Sequence, residues 1–107
     1  MSKIKVGIVS YLNTRPLIYG LKLEPIASQI ELVENNPARL AEMLKNEEID
    51  LGLIPVAAIH ELKESYLSGD YCIGTEGEAA SVCLFSEVPL EQIEKVYLDY
   101  QSRTSVE

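Results

Sequence analysis

Apolar residues first gather at Ile4, Val6, Ile8 and Val9, a run of strand length that is apolar on both faces. That is the pattern of a parallel strand covered by helices on either side. The polar stretch Ser10-Tyr11-Leu12-Asn13-Thr14-Arg15-Pro16 follows, and a short helix is predicted from about Thr14. Pro16 suits the first helical turn, where backbone N–H groups have no intrahelical acceptor. Gly20 is expected to close that helix in the left-handed conformation. Beyond Pro25, Ser28–Val33 reads as a second strand, and Asn36-Pro37 is a strong helix start. Leu40, Ala41, Met43 and Leu44 then recur at helical spacing, with Arg39, Glu42 and Lys45 on the outer face. Ile49–Ile54 predicts a third strand, ended by Pro55, which opens another helix with Val56, Ile59 and Leu62 on one side.

The remaining pattern predicts a turn at Ser68-Gly69-Asp70, a short strand at Tyr71–Gly74 and a polar bend at Glu76-Gly77-Glu78. A buried strand at Ser81–Ser86, a helical turn within Pro89–Glu94 and a last strand at Lys95–Asp99 complete it. Strands alternating with helices make this an α/β chain with a mostly parallel sheet flanked by helices.

The 107 residues bound the chain to one small domain, and 47% hydrophobic with 24% charged residues makes it globular. A formal net charge of −8 argues against non-specific nucleic-acid binding and attraction to an anionic membrane surface. It does not exclude a small anionic ligand, because backbone N–H groups supply positive potential without a basic side chain. The Ser10–Pro16 turn, at the carboxyl end of the first strand, is such an anion-friendly place. There Asn13 has two readings: a cap for the helix that follows, or an amide that meets a ligand. Ser81 likewise reads as a turn residue or as a donor. No apolar run reaches a membrane-spanning length, and the N-terminus leads directly into a strand without a signal-peptide pattern, so the expectation is a cytoplasmic protein. Cys72 and Cys83 sit among apolar neighbours and are expected to be buried free thiols. With one histidine and two separated cysteines there is no zinc-ligand spacing, and no metal is expected. His60, beside Glu61 and Lys63, is expected to face solvent. Ser102-Arg103-Thr104-Ser105 has the composition of a helix cap or anion-binding turn, and Val106 would begin the helix. A helix start without its helix reads as a fragment.

Four blocks in order carry a family resemblance: Val9–Leu17, Asp50–Val56, Ser81–Ser86 and Asp99–Val106. Together they span the chain and resemble the chorismate dehydratases of the futalosine route to menaquinone. The dihydroxynaphthoate synthases of that route share the fold, but their first motif is rich in Ser, Pro, Cys and Asp. The Tyr11-Leu12-Asn13-Thr14 form points to the dehydratases. The resemblance implies lobe one of a two-lobed, type II periplasmic-binding-protein-like fold that holds substrate between its lobes. Residues 1–99 would supply lobe one without its C-terminal return segment. Residues 100–107 would form the crossover and the start of a truncated lobe two, and a chain of this extent is expected to be inactive alone.

The reaction implied is loss of water from chorismate, giving 3-[(1-carboxyvinyl)oxy]benzoate without a cofactor. Three clusters would meet the two carboxylates of this small-molecule substrate: Ser10, Tyr11 and Thr14 around Asn13; Ser81 and Val82; and Ser102, Arg103, Thr104 and Ser105. The resemblance makes Asn13 the catalytic residue. Asp99, Asp50 and Glu76 are the possible protein bases, with Tyr11 and Tyr100 as weaker ones, and Asp50, at the head of a strand, reads more readily as structural. A site rich in neutral donors and poor in bases suggests that the substrate's own enolpyruvyl carboxylate removes the ring proton. A non-catalytic lobe that binds a small carboxylate is the alternative. An incomplete lobe is also expected to self-associate through its uncovered faces.

Overall fold

A computed structural model describes residues 3–79 and 83–99. β1 (Ile4–Val9) forms the centre of a three-stranded sheet, with β2 (Ile30–Asn35) on one side and β3 (Leu51–Gly52) on the other. Both pairings are parallel, with Val6 opposite Leu32 and Leu51, and Gly7 opposite Val33 and Gly52. The α/β class and the parallel sheet flanked by helices are as the sequence predicts, and are consistent with one lobe of a periplasmic-binding-protein-like fold. Among the described residues no helix is long and apolar enough to cross a membrane.

Alternation along β1 decides what covers each face. Val6 and Ile8 are buried and pack with Ile18, from the short helix α1 (Arg15–Ile18), and with Leu21, Ile30 and Leu32. Gly7 faces the other way, toward Leu40 of α2 (Pro37–Lys45) and Ile49. A Cβ at Gly7 would come within 2.6 Å of Ile49 Cδ1 and 2.8 Å of Leu40 Cδ2, so the missing side chain lets α2 press onto the sheet. Leu40 has no exposed surface, and burying a side chain of its size contributes about 1.5–3 kcal/mol.

The start of α2 follows from its own residues. Asn36 stands in an extended conformation, its Oδ1 accepts the Arg39 N–H at 2.9 Å, and Pro37 occupies the first turn. This is the cap that Asn36-Pro37 predicts.

The strand after Pro25 lies two residues later than the sequence suggests. Ser28 and Gln29 turn their side chains back onto the Pro25 carbonyl, both at 3.1 Å, so the ladder begins only at Ile30. The regular part of the third strand shrinks to Leu51–Gly52. Its neighbours still bind β1, through Asp50 N–H to Lys5 C=O at 2.9 Å and Leu53 N–H to Gly7 C=O at 3.1 Å. Gly20 does not adopt the left-handed cap. It opens a 3-10 turn, Gly20–Lys22, and the chain bends there without a positive φ. Gly69 and Gly77 do have positive φ, 84° and 90°, in the turn and bend the sequence predicts.

Beyond Pro55 the expected helix is a 3-10 segment, Val56–Glu61. Ala58 is its buried residue, whereas Val56 is 82% exposed, so the Val56–Ile59–Leu62 side is not a core face at its start. His60 is exposed, as expected. The predicted strands at Tyr71–Gly74 and Lys95–Asp99, and the described part of the one at Ser81–Ser86, are not strands. Among the described residues no strand pairs with them, and a parallel strand has little stability alone. Cys72 and Cys83 are exposed rather than buried. The helical turn after Pro89 is present, at Leu90–Gln92.

Candidate functional site

The carboxyl end of β1 runs into the motif turn. Ser10 N–H donates to the Asn35 carbonyl at 3.2 Å, which ties the turn to the end of β2 and removes that N–H from the anion-binding set. Leu12–Thr14 then form a 3-10 turn, closed by Thr14 N–H to Tyr11 C=O at 3.2 Å, and this runs directly into α1 with Pro16 in its first turn.

The order β2–β1–β3 makes this end of the sheet a switch point. β1 leads to α1 on the Val6–Ile8 face, while β2 leads to α2 on the Gly7 face, with the sheet between them. Ligands of open α/β sheets bind outside the carboxyl ends of strands where successive connections diverge in this way. The segment leaving β3 stays beside β1 at its start, with Leu53 N–H bonded to the Gly7 carbonyl at 3.1 Å. Sequence reasoning assigns no site residue to that segment. Pro55 lies three residues beyond the end of β3 and leads into the Val56–Glu61 3-10 segment.

Of the ten residues expected at the site, Ser10, Tyr11, Asn13 and Thr14 are brought together in this turn. Ser81, Val82, Ser102, Arg103, Thr104 and Ser105 lie outside the described residues. Ser10, Tyr11 and Asn13 are exposed. Asn13 caps nothing: Thr14 occupies the N-cap position of α1, and neither the 3-10 turn nor α1 has a side-chain cap. Its amide is free to donate and accept at once. Thr14 differs from the other three, for it is entirely buried and its Oγ1 has no hydrogen-bond partner.

Among the candidate bases, Asp50 belongs elsewhere. Its Oδ2 accepts the Lys5 N–H at 2.9 Å, reciprocated by Asp50 N–H to Lys5 C=O at 2.9 Å. Lys5 lies five residues before Ser10, so this clamp stands about 17 Å back along the strand. Asp50 fastens β3 to β1 and holds no proton at the turn. Glu76 and Asp99 are exposed on segments without regular structure. Among the described residues no group of three or more His, Cys, Asp or Glu side chains is arranged to hold a metal ion.

A depression of about 460 Å³ runs along α2, lined by Asn36, Ala38, Arg39, Ala41, Glu42, Lys45 and Glu61. Arg39 there is engaged with Glu42 and Glu48, each at 3.4 Å, and the lining brings two carboxylates close to any bound anion. The chemistry of that hollow suits a solvated helix face, so the motif turn remains the better candidate.

No solved structure matches the chain. A family model described as "Menaquinone biosynthesis" matches residues 4–107, which includes the motif turn, the Asp50–Val56 block and both blocks beyond them. The chain that presents Asn13 at the end of β1 therefore belongs to the menaquinone-biosynthesis family.

Proposed function

We propose that the protein is a chorismate dehydratase, a cytoplasmic hydro-lyase that converts chorismate to 3-[(1-carboxyvinyl)oxy]benzoate. The observation that carries this reading is the exposed Asn13 amide at the carboxyl end of β1, with no capping duty to occupy it. The Tyr11-Leu12-Asn13-Thr14 sequence around it is the form that resembles the dehydratases, and membership of the menaquinone-biosynthesis family is consistent with it.

The elimination breaks a C–H bond at the ring carbon bearing the enolpyruvyl ether. The electron pair forms the third ring double bond, and the hydroxyl leaves the neighbouring carbon, taking up a proton as water. Aromatisation supplies the driving force, so the protein's work is positioning and assistance to the departing hydroxyl. Asn13 donates its N–H to that hydroxyl or to a carboxylate, while its carbonyl orients the partner. Ser10 offers a hydroxyl on the same exposed turn, beside Tyr11. Ser81 joins Asn13 in holding the enolpyruvyl carboxylate, and Thr104 and Ser105 face the second carboxylate. The substrate's enolpyruvyl carboxylate takes the ring proton. Removal of Asp50 to the far part of the strand leaves the turn with neutral donors and no carboxylate of its own, which favours substrate-assisted proton removal.

The full-length protein incubated with chorismate should generate the absorbance of the aromatic product. Asn13→Ala should lower kcat/KM by about 100-fold or more, a loss of the size seen when a transition-state donor is removed. Asp99→Asn and Glu76→Gln should keep turnover near the wild-type level. Binding of chorismate without product would favour the carboxylate-binding lobe instead, and loss of turnover with retained binding in either acid variant would transfer the proton to that residue.

A further inference from the structure

A second feature of the motif turn is the Thr14 hydroxyl. Its side chain has no exposed surface and Oγ1 has no partner, although the three other site residues of this turn face solvent. Leaving a hydroxyl buried and unbonded gives up its hydration with nothing in return. Valine would fill nearly the same volume without that cost, so packing alone gives threonine no advantage here. The backbone of Thr14 is already committed, its N–H closing the 3-10 turn onto the Tyr11 carbonyl at 3.2 Å. The hydroxyl therefore sits at the junction between the turn that presents Asn13 and the helix α1 that anchors the turn to the sheet through Ile18. Buried hydroxyls in such places are commonly satisfied by one internal water that bridges to neighbouring backbone groups.

We propose that Thr14 is a positioning residue: through an internal water, its buried hydroxyl ties the underside of the Tyr11–Thr14 turn to the body of the lobe and fixes the direction of the Asn13 amide. Its place in catalysis rests on the dehydratase reading given above, whereas its effect on the turn does not. The effect on rate arises because a donor displaced by a fraction of an ångström loses much of its value in the transition state. Thr14 itself touches no substrate, since the turn covers it.

Thr14→Val and Thr14→Ser variants of the full-length protein test this with two readouts. The first is the split between kcat and KM for chorismate, and the second is hydrogen exchange at the amides of Leu12 to Arg15. Thr14→Val should lower kcat about tenfold with little change in KM, and speed exchange of those amides about tenfold. Thr14→Ser, which restores the hydroxyl, should recover most of both. A valine variant with wild-type kcat and wild-type exchange would overturn the proposal, since the hydroxyl would then be only a buried burden. If the wild-type protein turns over no chorismate, the dehydratase reading fails, and the exchange comparison still decides whether Thr14 holds the turn. Should the valine variant not fold, Thr14→Ala set against Thr14→Ser carries the same comparison: slower turnover and faster exchange in alanine alone support the tie, and equal behaviour of the two overturns it.

Discussion

Residues 3–62 and the described residues from Lys63 to Asp99 use similar amino acids and end in different states. In the first region both faces of β1 are covered, and Val6, Ile8, Ile18, Leu40, Ala41, Ile49 and Ala58 are buried. In the second every described residue is exposed except Ile93, which is half-buried, and Phe85 and Tyr97 are 85% and 92% exposed. The Cα radius of gyration, 16.5 Å, exceeds the roughly 13 Å of a compact chain of this length, consistent with a second region that adds little to the core. Apolar content alone therefore does not build a core. The first region has a central strand with a neighbour on each side and a helix for each face, so the inward-facing residues of β1 find partners. Val96 and Leu98 alternate as those of β1 do, but no strand lies beside them among the described residues.

Core truncation is the harshest way to test that contrast. Leu40→Ala removes a side chain with no exposed surface that lies over Gly7, and should destabilise the chain by about 2–5 kcal/mol in urea or thermal unfolding. Phe85→Ala deletes a larger side chain and should change stability by no more than about 0.5 kcal/mol, as exposed positions do. Equal losses from the two variants would show that Phe85 is packed and that the two regions share a core.

Gly7→Ala asks for less and tests how closely α2 seats. The new Cβ would meet the ends of Ile49 and Leu40, at 2.6 and 2.8 Å. Side-chain ends can turn away on a surface, but Leu40 and Ile49 are both buried, so the strain is forced into the sheet. Overpacking of this kind costs about 1–3 kcal/mol, and reduced freedom of the unfolded chain returns only about 0.4–1 kcal/mol. The net expectation is a loss of about 1–2 kcal/mol, read as a shift of the urea midpoint without a change in slope. A midpoint at or above the wild-type value would mean that α2 does not press on β1.

The same division governs what can be read from the residues alone. β1 and α2 are legible because their signals are local: an unbroken apolar run, and an asparagine cap followed by proline. β2 is legible as a strand but not in its starting point, because the Pro25 carbonyl competes for Ser28 and Gln29. The later strands mislead because a strand's stability lies in a neighbour distant in sequence, and a 5-residue pattern such as Lys95–Asp99 says nothing about whether that neighbour exists. Cys72 and Cys83 mislead in the same way, their apolar neighbours implying a burial that pairing would have to supply. At the site, Asn13 is visible through its motif. The burial of Thr14 is not, since the direction of a side chain in a turn depends on how a 3-10 segment winds into the helix after it. Asp50 reads as structural from its place at the head of a strand, and the ladder shows how, with its carboxylate accepting the Lys5 N–H.

The smallest effect separates local signals from packing inside the folded region itself. α2 has nine residues, too few to be stable alone in water, where about 12–15 are needed even for favourable sequences. Its helicity must come chiefly from Leu40 and Ala41 against the sheet, with the Asn36 cap adding a single satisfied N–H at Arg39. Asn36→Ala should thus cost about 1 kcal/mol, and Asn36→Asp or Asn36→Ser only a few tenths, because each keeps an oxygen that can accept that N–H. Unfolding curves for the three variants give the measurement. A loss from alanine rivalling that of Leu40→Ala would make the cap, not the core, the origin of α2, and the contrast between the two regions would then be one of local code. A loss near 1 kcal/mol leaves it one of partners: the first region is ordered because each element has something to lie against.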